Sequence, residues 1–422
     1  MNKQLIAIDL GNTTTNIKYL TGESEGVSYY INTAGNSQRI PVIDDEFSDI
    51  KEFVLPENPD QVLLWGEGLS ELSSTDGIVE TRSDGQRYLE KSFRNLLEIL
   101  LGHVADEVNK VTPLPEGRLR VDLALGLPTD DYDAKRFLQN SDGSVSSIES
   151  LNHRGKADAS EDNYVNFLKG IHEVKVNGQD FVIEVDNISI VDQPQGTLVY
   201  QAMNEYGEYR CPEVMKDHVT IIDFGGLTIL TSQYERGRRY SKSDQINDGA
   251  YKLATNVATR WNKSELANPR LKITLNHVLT MLRNHDPKDP QYVIRYNQNT
   301  EYDVTDIVLD EMNKATQLII DRLKGLTGWE SSDFFFITGG GANLINYEKL
   351  NGFLNDYGLQ AQKIDNSTYA NVRGFHTIGL LNNKDVANTY IEYHYDEKDR
   401  SEETEPETSE EDEDPFQNES EA

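Results

Sequence analysis

The chain has few cysteines, few basic side chains for its number of acidic ones, and no long apolar runs. The single cysteine, Cys211, excludes a disulfide framework within the chain and a zinc site built from several cysteines. The 40 lysines and arginines stand against 72 aspartates and glutamates, which gives a formal net charge of −32. Protein affinity for nucleic acid comes largely from basic side chains that neutralise phosphates, so no direct nucleic acid binding is expected. No apolar run has the length of a membrane span, and the first strand begins almost at the N-terminus, so we expect no membrane anchor, no signal peptide and a cytoplasmic location.

Several nucleotide- and metal-binding signatures are also missing. There is no Walker A sequence and no GxGxxG, which argues against a P-loop enzyme and against a dinucleotide-binding fold. None of the eight histidines stands in an HExxH motif or at a close metal-binding spacing. The length of 422 residues is too great for one hydrophobic core and suits two domains.

Three glycine-containing turns each follow a short apolar run that reads as a buried strand. The central one lies in residues 219–230, where Asp223 ends the first apolar run and two glycines follow. Residues 5–15 repeat this design around Asp9. The third turn, at 338–343, contains three glycines and no carboxylate. The pattern predicts strand–turn units that present backbone and carboxylate groups at the ends of strands.

These residue types suit phosphate and magnesium. Glycines let backbone N–H groups approach a ligand that a side chain would push away, and such groups suit phosphate oxygens. An aspartate beside them suits a hydrated Mg²⁺, which keeps most of its waters and takes few protein ligands. The alternative for the central stretch, 219–230, is an ordinary hairpin with glycine at its turn.

Other local patterns predict individual elements. A helical period of apolar residues predicts a long helix from about Asp84 to Val108, and an apolar stripe predicts another at 305–326. Asn177-Gly178 between two apolar runs predicts a hairpin. Residues 130–140 read as one short helix.

The three turns, in this order, resemble the motifs of the actin superfamily, which includes actin, Hsp70-type chaperones and sugar kinases. Its phosphate 1, phosphate 2 and adenosine motifs are similar to residues 9–13, 223–228 and 337–343, and its two connecting segments to 192–196 and 371–374. Within the superfamily the resemblance is strongest to the ParM-type bacterial plasmid-segregation actins. The sequences that favour them are Thr15-Asn16-Ile17-Lys18, Gln193-Pro194-Gln195-Gly196-Thr197-Leu198, and Gly339-Gly340-Gly341-Ala342-Asn343 followed by Asn371-Val372-Arg373-Gly374.

This resemblance implies an α/β, actin-like ATPase fold with two α/β domains, each carrying an inserted subdomain, and nucleotide in the interdomain cleft. Domain I is expected at 1–195, with a small subdomain at about 29–83 and a mobile insertion at about 141–160. Domain II is expected at 196–382, with a subdomain at about 245–330. A C-terminal segment follows at 383–395. Residues 396–422 carry 14 acidic and 2 basic side chains and are expected to form a disordered acidic tail.

The resemblance also implies ATP, with GTP as the alternative, and Mg²⁺. Asp9 and Asp223 would hold the metal through water, and Gln193 and Asp223 would be the catalytic residues. The implied nucleotide contacts are Asp9, Gly11, Asn12, Thr13, Thr14, Thr15, Asn16, Lys18, Gly225, Gly226, Thr228, Gly339, Gly340, Gly341, Ala342 and Asn343. Lys18 stands about two residues farther from Asp9 than in such hairpins, and Asn16 is the alternative for its place.

The function that the resemblance implies is a slow ATPase that polymerises with itself and segregates plasmid DNA through a DNA-bound adaptor protein. A neutral glutamine orients water but is a poor base, so slow hydrolysis is expected if Gln193 does not merely end a strand. A sugar or acid kinase needs a carboxylate base near the second turn, and residues 224–230 contain none. A chaperone of the Hsp70 type would carry a β-rich domain where only the acidic tail follows. A scaffold without catalysis is disfavoured because Asp9, Asp223 and Gln193 are all present.

Overall fold

The structure is a computed structural model. It describes residues 3–11, 14–33, 49–71, 77–81, 87–146, 162–241, 243–265, 267, 271–286, 289, 291–297, 300–383 and 387. Of the sequence predictions, Asn12, Thr13, most of the insertion at 141–160, nearly all of the segment at 383–395 and the tail at 396–422 lie outside these residues.

The first part of the chain forms a ten-stranded sheet. Its strands are β1 (Gln4–Leu10), β2 (Thr14–Tyr19), β3 (Gly22–Val27), β4 (Tyr29–Asn32), β5 (Lys51–Val54), β6 (Leu63–Trp65), β7 (Ile78–Glu80), β8 (Arg118–Leu127), β9 (Gly170–Val176) and β10 (Gln179–Asp192). Their spatial order is β3-β2-β1-β8-β10-β9-β5-β6-β4-β7. The predicted hairpin at Asn177-Gly178 is confirmed, because β9 and β10 pair antiparallel around it.

The centre of this sheet is parallel. β8 lies between β1 and β10, with Gly126 opposite Asp9 on one side and opposite Val191 on the other. All seven residues of β1 are buried, as expected for a central strand that is covered on both faces. The carboxyl ends of the three strands therefore meet at one edge, which brings Asp9 close to the residues that follow β10.

The second part of the chain forms a smaller sheet. Its strands are β11 (His218–Phe224), β12 (Ile229–Glu235), β13 (Arg238–Arg239), β14 (Asp244–Ile246), β17 (Phe334–Thr338) and β18 (Ala361–Lys363), while β15 (Val293–Asn297) and β16 (Thr300–Asp303) form a separate two-stranded ribbon. The order is β13-β12-β11-β17-β18, with β14 also paired to β12. β11 and β17 are parallel with Asp223 opposite Thr338, so the second and third glycine turns emerge side by side.

Nine helices lie among the described residues. They are α1 (Lys91–Val111), α2 (Thr129–Asp133), α3 (Tyr164–Leu168), α4 (Gln193–Ala202), α5 (Ala250–Lys263), α6 (Leu275–Asn284), α7 (Thr305–Leu323), α8 (Tyr347–Leu354) and α9 (Ser367–Asn382). None of these is both long and apolar enough to cross a membrane.

The predicted helices are confirmed in type, with two corrections. α7 occupies the expected stretch, but α1 begins at Lys91 rather than near Asp84, after a 3-10 turn at Arg87–Leu89. The single helix expected at 130–140 is wrong. Lys135 has a left-handed backbone conformation (φ 52°), which ends α2 and starts a separate 3-10 turn at Arg136–Leu138.

α4 and α9 cross between the two sheets. α4 follows β10 of the first sheet but packs in a core with β11 and β17 of the second. α9 follows β18 of the second sheet but packs on β1 and β8 of the first. They touch at Gly196 and Gly374, where a Cβ on Gly374 would lie 1.8 Å from the Gly196 carbonyl oxygen. The helix that ends the predicted domain II thus packs on the first sheet, and the domain boundaries remain predictions.

Candidate active site

A cleft of about 960 Å³ lies between the two sheets. It is lined by the residues that follow β1, β11 and β17, and by the first residue of α4, Gln193. These are the three glycine turns and the glutamine that the sequence singled out. The chain thus brings together at one place segments that are far apart in the sequence, such as those of Asp9 and Asn343.

The turn after β1 is tight because Gly11 lies against the chain that returns in β2. A Cβ at Gly11 would lie 2.4 Å from the carbonyl oxygen of Thr14. Thr14 and Asn16 line the cleft, and the Asn16 amide donates to the Thr368 carbonyl oxygen (3.1 Å). Thr15 points the other way, because side chains alternate along a strand; its hydroxyl is buried 3.1 Å from that of Ser28.

Lys18 lies away from the cleft. Its ammonium pairs with Glu23 (3.5 Å), and it lines a second cavity of about 620 Å³ together with Arg373. Asn16, the alternative for its place, is on the cleft wall.

The turn after β11 is fixed by the helix that follows the second hairpin. The Gly225 N–H donates to the Thr228 carbonyl oxygen (2.9 Å), and the Ala250 N–H donates to the Gly225 carbonyl oxygen (3.1 Å). The N-terminus of α5 therefore packs on this turn. Gly225, Gly226 and Thr228 all line the cleft.

The turn after β17 folds onto the turn after β11. Gly339 has a φ of +89°, and a Cβ there would lie 2.3 Å from Asp223 Oδ1. The Gly341 N–H donates to the Phe224 carbonyl oxygen (2.8 Å). Gly339, Gly340, Gly341 and Asn343 line the cleft, whereas Ala342 is buried behind it.

Asp9 and Asp223 form a buried carboxylate pair, and each is only 7% exposed. The pKa of Asp9 is raised to about 7, mainly by burial and in part by the charge of Asp223, while the hydrogen bond from Gln193 opposes the rise. Burial also raises the pKa of Asp223, against a hydrogen bond from Asn371. Two buried carboxylates that resist ionisation together are stabilised by a cation between them.

These side chains fit Mg²⁺ held through water. Among the described residues, no group of three His, Cys, Asp or Glu side chains is placed to hold a metal ion directly. A pair of carboxylates is enough for Mg²⁺, which keeps several of its waters when bound.

Amide and hydroxyl side chains hold the carboxylates in place. The Gln193 amide donates to Asp9 Oδ1 (2.6 Å), and the Asn371 amide donates to Asp223 Oδ2 (2.9 Å). The Thr197 hydroxyl donates to Asn371 Oδ1 (2.7 Å) and lies 3.1 Å from that of Thr338. Residues from β1, β11, β17, α4 and α9 therefore share one buried polar network.

Neither Asn371 nor Thr197 was among the predicted site residues. Asn371 stands in the second connecting segment, and Thr197 stands in the run 193–198 that favours the ParM-type proteins, so these positions were the available signal. Their partners lie 148 and 174 residues away along the chain, so spacing alone does not reveal the contacts.

The wall of the cleft beyond β8 was also missed. Arg87, Asp131 and Arg136 line it beside Gln193 and Asp9. Arg87 belongs to the 3-10 turn before α1, and Asp131 to α2. With Asp130, this wall brings two arginines and two aspartates to the cleft.

No protein-family model matches the sequence, and no curated protein matches it. Solved structures do match. The fold is similar to that of the apo psk41 ParM protein, with a TM-score of 0.64 and 23% identity over 91% of this chain and 99% of that one. It is also similar to ParM of Bacillus thuringiensis solved with ATP (TM-score 0.60, 15% identity, 90% and 99% of the two chains). A ParM from Clostridium botulinum, solved as a 15-stranded filament, matches with a TM-score of 0.60 and 17% identity over 90% and 99%.

The chain therefore has the α/β fold of the actin-like proteins, as the sequence motifs predicted. Among solved structures of this fold, ParM proteins are similar to it over nearly their whole length.

Proposed function

We propose that this chain is an actin-like ATPase of the ParM type. It binds ATP with Mg²⁺ in the cleft, hydrolyses ATP to ADP and phosphate, and assembles with copies of itself into filaments that turn over. Through a DNA-bound adaptor protein, such filaments would segregate plasmid DNA. The observation that carries the proposal is the pair of buried carboxylates, Asp9 and Asp223, which come from two sheets and face one cleft beside three glycine turns.

Different residues around the cleft would contact the metal ion, the phosphates and the base of the nucleotide. Asp9 and Asp223 would hold Mg²⁺ through its waters, and the ion would neutralise charge on the phosphates when bound. The hydroxyls of Thr14 and Thr228 and the backbone at Gly226 would contact the β- and γ-phosphates. The open backbone at Gly340 would allow the flat base to lie against the third turn, because nothing lies within 4 Å of a Cβ built there.

Hydrolysis needs an oriented water rather than a covalent intermediate. The Gln193 amide nitrogen is engaged by Asp9 Oδ1, which leaves the amide carbonyl to accept a hydrogen bond from the attacking water. An amide does not take the proton of that water. Hydrolysis should therefore be slow, which suits a filament whose subunits change state with time.

Two of the similar structures support the proposed nucleotide use and filament assembly. The Bacillus thuringiensis ParM was solved with ATP, and the Clostridium botulinum ParM was solved as a filament. The net charge of −32 opposes the approach of subunits, so assembly of this chain should strengthen with added salt that screens the repulsion.

The experiment is a pelleting and light-scattering assay of the full chain, with phosphate release measured in the same samples. ATP with Mg²⁺ should produce filaments visible by negative stain, followed by phosphate release. ATP with EDTA in place of Mg²⁺ is the matched control and should give neither. Phosphate transfer to an added sugar or acid without filaments would identify a kinase instead, and filaments without nucleotide or hydrolysis would identify a scaffold.

A further inference from the structure

Asp192 is a buried carboxylate that directly precedes Gln193. It ends β10, occupies the N-cap position of α4 and is 4% exposed. An aspartate at this position usually caps its own helix, but this side chain accepts no hydrogen bond from α4. Its Oδ1 instead accepts a hydrogen bond from the Thr129 hydroxyl (2.6 Å), and its Oδ2 accepts one from Arg239 Nη1 (2.9 Å). The carboxylate therefore ties the start of α4 to other parts of the chain.

Arg239 reaches Asp192 from the other sheet. It lies in β13, at the edge of the second sheet, where it pairs with Tyr234 of β12. Its Nη2 donates to Asp133 at the end of α2, the helix that follows β8 of the first sheet. One planar guanidinium thus holds two carboxylates that belong to the first part of the chain, which fixes its orientation.

Arg239 can affect the reaction only through the groups that it holds. Among the described residues, those that line the cleft include Gln193 but neither Arg239 nor Asp192. Gln193 follows Asp192 in the chain and donates its amide to Asp9 Oδ1 (2.6 Å). A shift of Asp192 therefore moves the backbone that carries the Gln193 side chain.

Loss of Arg239 would leave Asp192 without this positive partner. Burial raises the pKa of Asp192, while the hydrogen bond from Thr129 and the charge of Arg239 oppose the rise. A buried carboxylate that loses its cation takes up a proton, admits water or moves towards solvent. Any of these changes alters the contacts that hold the start of α4.

We propose that Arg239 is a positioning residue for ATP hydrolysis, which holds Asp192 from the second sheet and so keeps the Gln193 carbonyl directed at the attacking water. This inference rests on the proposed ATPase function. In that reaction the water oxygen bonds to the γ-phosphorus while the bond from phosphorus to the β–γ bridging oxygen breaks. The bridging oxygen leaves with ADP, and the proton released by water passes to phosphate or solvent. Arg239 transfers no proton and does not touch the nucleotide.

The test compares Arg239→Gln with the unchanged chain in single-turnover ATP hydrolysis with Mg²⁺. Misplacement of a reacting group by about 1 Å can cost on the order of 10²-fold in rate, so a loss of at least about tenfold is expected. The affinity for ADP, measured by displacement of a fluorescent analogue, should stay within about threefold, because Arg239 acts on the water-orienting group and not on the nucleotide.

A double-mutant comparison separates positioning from a general loss of stability. If Arg239 acts through Gln193, Arg239→Gln should cost less than about threefold in rate in a chain that already carries Gln193→Ala. A residue that only stabilises the fold would lower the rate by the same factor in both backgrounds.

Arg260 provides a matched control, because its guanidinium also holds one buried and one more exposed carboxylate. Its Nη1 donates to the buried Glu311 Oε1 (2.6 Å) and to Asp310. These contacts join α5 to α7 in the second part of the chain, and Arg260 is not among the described residues that line the cleft. Arg260→Gln should therefore leave hydrolysis unchanged.

If Arg239→Gln does not fold, Arg239→Lys replaces it in both comparisons. The lysine keeps the charge but lacks the planar fork that holds two carboxylates at once, so a loss in rate of at least about threefold is expected.

The outcomes separate the two proposals. If the unchanged chain hydrolyses ATP and the Arg239 variant does so at the same rate, this inference is wrong and the proposed function stands. An equal loss of rate with and without Gln193, or in Arg260→Gln, would also overturn the inference, because Arg239 would then be a structural residue only. If the unchanged chain neither binds nor hydrolyses ATP, both proposals fall.

Discussion

The side-chain amide of Gln193 donates a hydrogen bond to Asp9 Oδ1 over 2.6 Å, although the two residues are 184 positions apart. Asp9 ends β1 and Gln193 begins α4, and a single strand, β8, separates β1 from β10, which leads into α4. The residue that would orient water is thereby coupled to a carboxylate that would hold the metal. A change in the position of either side chain therefore alters this hydrogen bond.

Replacing Gln193 by alanine should slow hydrolysis while nucleotide binding is nearly kept. The carbonyl that would orient water is lost, and the expected loss in rate is on the order of 10²-fold. Single-turnover phosphate release gives the rate, and displacement of a fluorescent ADP analogue gives the affinity. An unchanged rate would remove Gln193 from the reacting centre and leave it as a partner of Asp9 only.

Gly339→Ala should destabilise the protein without nucleotide, whereas Gly340→Ala should not. Gly339 combines a left-handed backbone with a Cβ position 2.3 Å from Asp223 Oδ1, while nothing lies within 4 Å of a Cβ at Gly340. Strain of this kind costs of order 1–3 kcal/mol in the free energy of unfolding. Urea unfolding of both variants measures it. Equal stability of the two variants would show that Gly339 is not needed for the close packing of the third turn against Asp223.

Gly374→Ala should be more disruptive than any other glycine-to-alanine change within a described helix. Its Cβ would lie 1.8 Å from the Gly196 carbonyl oxygen, so α4 and α9 would have to separate. Gly352 in α8 is the matched control, because it is also helical and nothing lies within 4 Å of its Cβ position.

Gly352→Ala should stabilise the protein by about 0.5–1 kcal/mol through helix propensity. Melting temperatures of the two variants decide the matter. The account of the helix crossing fails if Gly374→Ala melts at or above the temperature of the unchanged chain.

Lowering the pH should reduce the free energy of unfolding through His103. Burial, with the positive charge of Lys51, lowers the pKa of His103 to about 3, whereas an unfolded histidine titrates near the usual 6.5. Below pH 6.5 the unfolded chain binds a proton that the folded chain does not, so this residue removes stability as pH falls from about 6.5 towards 3. The slope approaches 1.4 kcal/mol per pH unit for one proton.

Asp9 acts in the opposite direction in part of this range. Its pKa of about 7 lets the folded chain keep a proton that the unfolded chain loses, which adds stability as pH falls from 7 towards 4. The diagnostic quantity is therefore the difference between the unchanged chain and His103→Leu. Urea unfolding at pH 6.5, 6.0, 5.5 and 5.0 should show this difference shifting in favour of the variant as pH falls. A difference that does not vary with pH would mean that the folded histidine takes up a proton.

Local features of the site were predictable from the sequence, and its long-range contacts were not. An apolar run ending in aspartate and glycine specifies a strand with a carboxylate at its end, and the parallel pairing of β11 with β17 then places Asp223 beside the third turn. Thr15 was included among the predicted nucleotide contacts. Because side chains alternate along β2, Thr14 and Asn16 line the cleft, whereas Thr15 points to the opposite face of the strand.

The partners of the carboxylates depend on the packing of whole elements. Asn371 reaches Asp223 only because α9 returns from the second sheet to pack on the first. Arg87 reaches the cleft wall because its aromatic neighbours and Asp131 hold it there, and no spacing in the sequence connects it with residues 126–131. Glycine at 196 and 374 marks the helix crossing, yet the close approach of these residues appears only when both helices are placed.

The most direct test of the central claim is assembly of the Asp223→Ala variant with ATP and Mg²⁺. Asp223 is buried, lines the same cleft as Asp9 and accepts a hydrogen bond from Asn371, and its loss removes one of the two groups that would hold the metal. The measurement is phosphate release together with pelleting, at equal protein concentration, for the unchanged chain and the variant. The account predicts filaments and slow phosphate release from the unchanged chain, and a loss of phosphate release on the order of 10²-fold or more from a variant that still folds. Phosphate release from Asp223→Ala at the rate of the unchanged chain would contradict the account.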